Sequence, residues 1–525
     1  MESCQPGYRL LDAERIASPR PSCVANEGRS WKAEKIVTDT VHKFLCVYGH
    51  FYQPPREDPF TGRIAPEPGA APFENFNEKI TEECYRPNAE LGNLALMSFD
   101  LGPTLAAWLE QRHPDVYQAF IAADRAQRAR YGVGNALAQA HNHAILPLAT
   151  SRDKRVQIRW GLDDFAHRFG HRADGMWLAE TAVDQETLSI LAEEGVRYTV
   201  LAPWQAAEPV TPGEPYLVAL PGGRSITVFF YHGALSAAVS FEDEVTSNAD
   251  VFAATHLRQQ VNEVKAERGE DQLVVIATDG ELYGHHKPLR TFFLKHMLHR
   301  SAPAQGFEVT TLARYLQTHA PQRTVTLRTP SAWSCAHGVA RWDAGCDCTE
   351  GDSSWKHELR AAFNHLAVQL DAVYADATAT SLRDPWAARE AWLAVRSSWV
   401  SSRAFWTRYG IHGHRPLRRT RAEAIRQLLE AQYYAQAMFT SCGFFFEDLD
   451  RIEPRNDIAF ARRATSLVWQ ATHIDLQTEF LADLARARSW RSGRTGADIY
   501  RDLPVVPEGA LPPLAHPTSS SETAA

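Results

Sequence analysis

The chain has 525 residues, of which 44% are hydrophobic, and its 55 Lys and Arg against 63 Asp and Glu give a formal net charge of −8. This length accommodates one large domain and a second one, and the acidic balance argues against a protein that binds nucleic acid through a basic face. The chain contains no apolar run long enough to span a membrane and no evident signal peptide, so we expect a cytoplasmic location. Its eight cysteines are scattered, which indicates reduced thiols rather than a disulfide framework.

The first predicted strand, residues 44–48, ends in a cluster of polar side chains. His50, Tyr52 and Gln53 follow it directly. A polar loop then extends from residue 56 to about residue 86. Loops of that length in compact domains are usually functional or disordered, and we expect this one on the substrate side of the fold.

Helical patterns dominate residues 87–130 and recur at residues 153–170. The segment between them is rich in Asn, Gln and His and contains His143, a composition that indicates a polar pocket wall. A short apolar run that includes Trp177 comes next and ends in Glu180. This is a second predicted strand that ends in a side chain suited to catalysis, here a carboxylate.

Strands and helices continue to alternate as far as about residue 316. Strands are predicted at residues 198–201, 226–231 and 273–277, and helices at residues 185–195 and 249–268. The polar residues that follow these strands are His232 and, after the last strand, Asp279, Glu281, His285 and His286. Such alternation predicts a parallel sheet closed as a barrel, whose strand ends share one face.

The composition changes after residue 330, and helical patterns dominate the rest of the chain. We expect a bundle of three to five helices there. The predicted organisation is a poorly ordered lead-in at 1–40, a barrel at 41–330, a Cys- and Trp-containing linker at 331–353, a helical bundle at 354–492 and a disordered tail at 504–525.

The linker contains four side chains that commonly bind zinc: Cys335, His337, Cys346 and Cys348. A Cys₃His zinc site is one interpretation. The Cys-x-Cys spacing is tighter than is usual for zinc, so we favour a loop of reduced cysteines and predict no metal and no cofactor. Trp333, in the same linker, is a candidate for lining a cleft.

Two carboxylates at the ends of different strands are suited to divided roles. One remains ionised and attacks, while the other holds a proton and donates it to a leaving oxygen. Glu180 and Asp279 are the candidates, and the fold alone must bring them together because they are far apart in sequence.

Four motifs in this order resemble those of glycoside hydrolase family 57, in the subgroup with an additional uncharacterised C-terminal domain. They are GHFYQPP at 49–55, HNHAILPL at 141–148, GMWLAE at 175–180 and TDGELYGHH at 278–286. Tyr52 stands where the family usually has His, and Ala144 stands where it usually has Pro. A fifth, poorly defined motif corresponds best to residues 438–449.

The resemblance implies an incomplete seven-stranded (β/α) barrel followed by an all-helical bundle. It also implies an enzyme that acts on α-glucans or maltooligosaccharides with retention, with Glu180 as nucleophile and Asp279 as acid/base. Amylase, 4-α-glucanotransferase and branching activities share the glycosyl-enzyme intermediate, so the motifs do not distinguish them. The expected substrate-binding residues are His50, Tyr52, Gln53, His143, Trp177, Glu281, His285, His286 and Trp333.

Two alternatives remain open at the level of sequence. One is a metal-dependent polysaccharide deacetylase or mannosidase on a related barrel, which requires a His/Asp metal set at the strand ends. The other is a catalytically silent carbohydrate-binding protein, for which the departures at Tyr52 and Ala144 argue. The presence of both Glu180 and Asp279 argues against it.

Overall fold

The computed structural model describes residues 42–411 and 418–504. The expectations for the lead-in at 1–40 and for the tail at 504–525, apart from Pro504, therefore lie outside the described residues. The strands are β1 (Lys43–Phe51), β2 (Ser98–Leu101), β3 (Ala136–Gln139), β4 (Met176–Trp177), β5 (Tyr198–Leu201), β6 (Pro215–Ala219), β7 (Ser225–Phe230), β8 (Gln272–Asp279), β9 (Phe307–Val309) and β10 (Arg323–Thr324).

Seven parallel strands form the main layer of the barrel. Strands β8, β1, β2, β3 and β4 are hydrogen-bonded neighbours in that order, and β5 and β7 form a second parallel pair. A bridge between Gly175 and Tyr198 joins the two groups. Between β7 and β8, His232 donates its backbone N–H to the Val275 carbonyl, and its ring accepts the Val275 N–H at 3.1 Å. The incomplete seven-stranded barrel is thus confirmed.

The register of β1 against β8 positions the candidate site. The two strands pair from Lys43 opposite Gln272 to His50 opposite Asp279. Both strands are buried over nearly their whole length, which explains their continuous apolar sequences. Because the strands run in the same direction, His50 and Asp279 emerge side by side at the carboxyl edge of the sheet.

Helices surround this sheet. In the barrel region they are α1 (Phe76–Ile80), α2 (Arg86–Glu90), α3 (Pro103–Arg112), α4 (Pro114–Tyr131), α5 (Ser151–Phe169), α6 (Gln185–Glu193), α7 (Gly233–Phe241), α8 (Ala249–Phe252), α9 (Glu263–Glu267), α10 (Arg290–His296), α11 (Ala302–Ala304) and α12 (Leu312–Thr318). One sequence prediction was wrong here: residues 87–130 are not wholly helical but contain β2. This four-residue strand is too short for its periodicity to compete with the flanking helical patterns.

The rest of the described chain is helical, as predicted. Its helices are α13 (Trp355–Thr378), α14 (Pro385–Arg396), α15 (Ser402–Tyr409), α16 (Arg419–Ala437), α17 (Cys442–Phe445), α18 (Ile452–Thr472), α19 (Gln477–Leu484) and α20 (Gly496–Asp502). Four of these are longer than ten residues, and short helices fill the spaces between them. None of the helices in the described ranges has both the length and the apolar composition that crossing a bilayer requires.

The helical region packs onto the carboxyl face of the barrel rather than standing apart from it. Its apolar core includes Ile145, Ala179 and Ala182 from the loops that follow β3 and β4. A bridge between Ala144 and Thr440 extends this contact. The helical region therefore meets the barrel at the edge where the candidate side chains emerge.

Candidate active site

Asp279 is the last residue of β8 and lies beside His50 of β1. Its residue surface is exposed to solvent, but protein atoms crowd its carboxyl group. This desolvation raises the pKa of the Asp279 carboxyl; His50 acts in the opposite direction, and the nearby Asp100 carboxylate raises it further. A raised pKa of Asp279 agrees with the expectation for a proton donor.

Glu180 follows the two-residue strand β4 and is held by the segment that begins at Ser331. Its Oε2 accepts hydrogen bonds from Trp333 Nε1 at 2.9 Å and Ser334 Oγ at 2.6 Å. Its backbone carbonyl accepts the Trp333 N–H, and Val183 and Ser331 pair as a short bridge. Both hydrogen bonds from this segment go to Oε2, so the segment holds one of the two carboxylate oxygens.

Burial raises the pKa of the Glu180 carboxyl, an effect that sequence reasoning did not anticipate for the expected nucleophile. The hydrogen bonds from Ser334 and Trp333 lower the pKa, whereas the Asp279 charge raises it. The effect of the Asp279 charge on the pKa of Glu180 is smaller than those of burial, Ser334 and Trp333, and it indicates that the two side chains are near each other. The catalytic roles of Glu180 and Asp279 stay predictions.

Left-handed backbone conformations cluster at this site. Glu180 and Thr181 have φ angles of 57° and 49°, and His143 has a φ of 52°. These are three of the six non-glycine residues with positive φ in the described part of the chain. Such conformations are costly for residues with a Cβ and collect at functional sites, where the surrounding structure imposes them.

His50 is a buried histidine with protein partners on both ring nitrogens. Nδ1 lies 2.9 Å from Asp100 Oδ2 on β2, and Nε2 lies 3.1 Å from His143 Nε2. Burial alone would lower the pKa of His50, but the Asp100 carboxylate outweighs this effect and raises the pKa to about 9. His50 is therefore an imidazolium near neutral pH, and neither nitrogen is free to ligate a metal.

His143 has the opposite protonation behaviour. Burial, reinforced by the His50 charge, holds the pKa of His143 well below its usual range. The neutral ring accepts the proton of His50 Nε2 and donates from Nδ1 to Ser441 Oγ at 2.6 Å. The Tyr52 ring stacks on it with a centroid separation of 3.8 Å. The helical region thus contributes Ser441 to the hydrogen-bond network of the site.

Glu281 lies deeper than the two carboxylates and is fixed by two donors. Its Oε1 accepts from Tyr85 Oη at 2.6 Å and from the Tyr52 backbone N–H at 3.2 Å. Burial raises the pKa of the Glu281 carboxyl to about 7; the Tyr85 hydrogen bond lowers it, and the Asp279 charge raises it. Its position supports the role of a hydrogen-bond acceptor behind Asp279.

Aromatic rings form one wall of the cleft. Trp177 is fully buried and stacks on His50 at 5.1 Å and on Tyr48 at 4.8 Å between centroids. Trp333 is half-buried and meets Trp177 edge to face at 5.1 Å. Trp333 is thus the tryptophan whose ring remains partly available to a ligand, while Trp177 shapes the wall from behind.

Not all of the expected substrate-binding residues face the carboxylates. Gln53 is buried and accepts from Arg56. His285 lies 2.6 Å from Glu83 and contacts the ring of His286, in a separate cavity of about 440 Å³ lined by Lys79, Glu83, Gly284, His285, Pro288 and Leu289. The substrate-binding roles of the two histidines stay predictions; His285 lines this cavity, and His286 contacts the His285 ring.

Sequence reasoning missed several residues of the site. They are Asp100, Tyr85 and Ser334. Gln139 lies in the predicted polar pocket wall, and Ser441 and Cys442 lie in the segment at 438–449 that resembles the fifth motif. The sequence did contain a signal for Asp100. This residue lies in a short, mostly apolar run that ends just before Gly102 and Pro103, as a buried strand would. Ser334 and Ser441 are 154 and 298 residues from their partners, and no local pattern indicates either contact.

A family model described as glycosyl hydrolase family 57 matches residues 40–328, which is more than half of the chain. The chain belongs to glycosyl hydrolase family 57. A second model, described as a domain of unknown function, DUF3536, matches residues 352–509. These two matches correspond to the barrel and to the helical region.

Two named relatives match this chain over only part of their own length. An alpha-amylase of Pyrococcus abyssi is 24% identical over 274 residues, 49% of this chain and 39% of the relative. Alpha-amylase 1 of Dictyoglomus thermophilum is 32% identical over 98 residues, 18% of this chain and 13% of the relative. The chain therefore spans well under half the length of these relatives.

Solved structures share the fold over most of the chain. An exo-type maltose-forming amylase of Pyrococcus sp. ST04 matches with a TM-score of 0.67 at 15% identity, covering 87% of this chain and 88% of that one. A family 57 branching enzyme of Thermococcus kodakaraensis matches with a TM-score of 0.57 at 15% identity, covering 87% and 96%. Both alignments are long enough to include the barrel and helical region together.

Proposed function

We propose that this protein is a retaining α-glucan-acting enzyme, with Glu180 as nucleophile and Asp279 as general acid and base. The single observation that carries the proposal is the pair of carboxylates at the ends of β4 and β8, coupled so that the charge of Asp279 raises the pKa of Glu180. Membership of the family and relatives named as amylases support an α-glucan as substrate.

The hydrogen bonding of Glu180 suits a nucleophile. Trp333 and Ser334 both donate to Oε2 and so favour the ionised carboxylate that must attack the anomeric carbon. Their geometry also fixes the orientation of the carboxylate, which leaves Oε1 to form the glycosyl ester. We expect the two carboxyl groups to lie roughly 5–5.5 Å apart when substrate is bound, as a retaining mechanism requires.

The environment of Asp279 suits a proton donor that later becomes a base. Desolvation raises its pKa and favours the protonated acid before the leaving group departs. Once Glu180 is consumed as an ester, its negative charge is gone and Asp279 loses a proton more readily. Asp279 can then deprotonate the incoming acceptor, which is water in hydrolysis or a sugar hydroxyl in transfer.

We further propose the substrate platform and the cellular setting. Trp333 offers a partly exposed ring beside Glu180, a surface on which a sugar ring can pack. The six described cysteines are all free, which supports a reducing compartment and hence the cytoplasm. The predicted division into a barrel at 41–330 and a helical domain at 354–492 is retained as a proposal, although α20 extends the helical region beyond residue 492.

Chemical rescue with azide tests the two catalytic roles separately. With a 4-nitrophenyl α-maltooligoside, we expect Glu180→Ala to lose at least about 10⁴-fold in kcat. Azide should then restore turnover by attacking the anomeric carbon from the face that the Glu180 side chain occupied, and the product should be the β-glycosyl azide. Asp279→Ala should still form the glycosyl-enzyme from this activated substrate and yield the α-glycosyl azide. Identical anomers from both variants would overturn the assignment.

A matched control is Glu263→Gln on helix α9, an exposed carboxylate near the amino end of β8 rather than the carboxyl end that carries Asp279. It should retain wild-type turnover and melting temperature. A screen on maltooligosaccharides, glycogen and amylose with product chain-length analysis then separates hydrolysis, transfer and branching. If wild-type protein turns over none of these while it binds them, the catalytically silent alternative is correct.

A further inference from the structure

The linker between the barrel and the helical region brings four metal-binding atoms together. One donor atom from each of Cys335, His337, Cys346 and Cys348 lies within 4.8 Å of every other. Cys335 Sγ is 3.7 Å from Cys346 Sγ, and Cys348 Sγ is 3.5 Å from His337 Nδ1. The sequence spacing favoured unbound reduced cysteines, whereas the geometry points to a shared ligand.

These separations match the edges of a zinc tetrahedron. Zinc bonds of about 2.3 Å to sulfur and about 2.0–2.1 Å to nitrogen give edges of about 3.8 Å between two sulfurs and about 3.6 Å between sulfur and nitrogen. The contacts of Cys335 with Cys346 and of His337 with Cys348 are already at these values. The remaining edges need to contract by at most about 1 Å for all four atoms to bind one ion.

Two glycines let the linker fold so closely. Gly338 follows His337 with a φ of 76°, and Gly345 precedes Cys346 with a φ of 82°. A Cβ atom at Gly345 would lie 2.5 Å from the Ser353 carbonyl oxygen, and one at Gly338 would lie 2.8 Å from that of Pro330. Both turns therefore require glycine, and both are adjacent to a candidate ligand.

Two buried basic side chains beside the cluster form no salt bridge with a carboxylate among the described residues. Arg341 donates to the Cys348 carbonyl oxygen at 2.6 Å, and its Nε has no hydrogen-bond partner in the described part of the chain. Lys356 is fully buried and donates to Thr349 Oγ1 at 2.9 Å. Unpaired buried cations are costly. Three thiolates and a neutral imidazole on Zn²⁺ carry a net charge of −1, which compensates the charge of Arg341.

We propose that Cys335, His337, Cys346 and Cys348 bind one structural Zn²⁺. All four protein ligands close the coordination shell, as in structural rather than catalytic zinc sites. The exposed His337 leaves an entry path for the metal. Because Trp333 and Ser334 directly precede Cys335, the ion fixes the segment that hydrogen-bonds Glu180; this consequence rests on the proposed function, whereas zinc binding itself does not.

The test measures metal rather than activity. The full chain, purified under reducing conditions without added metal, should contain about one zinc per chain by mass spectrometry. After chelation, Co²⁺ should produce thiolate charge-transfer absorption and the visible bands of a tetrahedral ion. Cys346→Ala and Cys348→Ala should each lower zinc affinity by more than about 100-fold. The matched control Cys46→Ala, a buried thiol of β1, should retain the zinc.

His337→Ala keeps the test decisive if a cysteine variant fails to fold, because its side chain is exposed and its loss leaves the apolar core intact. It too should weaken zinc binding while circular dichroism remains that of the wild type. The proposal is overturned if the purified chain lacks zinc and gives no thiolate signal with Co²⁺. It is equally overturned if Cys346→Ala keeps wild-type zinc, or if Cys335 and Cys346 are found joined as a disulfide.

Discussion

Asp279 ends an eight-residue strand, whereas Glu180 follows a strand of only two residues. Asp279 is positioned by the ladder of β8 against β1, which pairs every residue of β8. Glu180 instead has a left-handed backbone and depends on side chains from the linker beyond the barrel. One carboxylate is placed by the sheet itself and the other by a segment added to it.

This difference teaches where the site is vulnerable. The sheet that carries Asp279 is a cooperative unit, so the loss of a single side chain outside the sheet should hardly change the position of Asp279. The position and ionisation of Glu180 depend on two hydrogen bonds from one short segment. Changes in the linker should therefore affect the nucleophile selectively.

Among changes to the residues that support the two carboxylates, the largest expected effect comes from removing both donors to Glu180. In the double variant Trp333→Phe with Ser334→Ala, kcat/KM should fall by about 100-fold or more, because each hydrogen bond to a charged group contributes about 1.5–3 kcal/mol. The acidic limb of the pH–rate profile should also move to higher pH, because both donors lower the pKa of Glu180. Steady-state kinetics across pH measures both effects.

Two neighbouring residues provide matched controls for this double variant. Ser331→Ala removes a hydroxyl that accepts from Gln205, and Trp204→Phe removes an indole N–H that donates to the Ala332 carbonyl. Neither contact reaches a carboxylate, so the acidic limb should not move. If the controls shift it as far as the double variant does, Glu180 is not tuned by the linker.

The same difference explains what could be predicted from sequence. The strand that leads to Asp279 is a long run of β-branched and apolar residues, a short-range pattern that the sequence displays directly. The alternation of strands and helices and the strand that carries Asp279 were therefore predictable from the residues. The contacts that support Glu180 were not: Trp333 was expected only to line a cleft, and Ser334 acts through a contact made only after the linker folds against β4.

Strand β2 was missed for a related reason. Its four residues lie between helical segments, and no periodicity distinguishes so short a strand. It carries Asp100, the partner that keeps His50 protonated. The missed strand therefore also concealed why one histidine of the site is charged while His143 is neutral.

The barrel side of the comparison can be tested through the pH dependence of stability. His50 has a folded pKa of about 9 against an unfolded value of 6.5, so its contribution is fully present below pH 6.5 and is lost as pH rises through 9. The loss amounts to about 3 kcal/mol. Asp100→Asn removes the charge that raises this pKa and should flatten the decline between pH 7 and 9, measured by urea unfolding.

Glu83→Gln is the matched control for this linkage, because it alters another histidine–carboxylate pair, that of His285. Its stability should decline with pH between 7 and 9 as steeply as that of the wild type. The Glu281 carboxyl, with a pKa raised to about 7, contributes a decline of the same sign below this window. An unchanged slope in Asp100→Asn would show that His50 is not the titrating group.

The smallest expected effect lies where the helical region meets the barrel. Ser441→Ala removes the acceptor of the His143 Nδ1 proton and should cost about 1 kcal/mol of stability. Because His143 also contacts His50 and the Tyr52 ring, its altered position should raise KM severalfold while kcat changes less. Ser466→Ala is the control: its hydroxyl accepts from Gln470 within the helical region, and its loss should leave KM unchanged.

If both variants behave alike, the helical region supports the fold without contributing to the site. A KM effect confined to Ser441→Ala would instead mean that the helical region, like the linker, completes an active site that the barrel strands only begin.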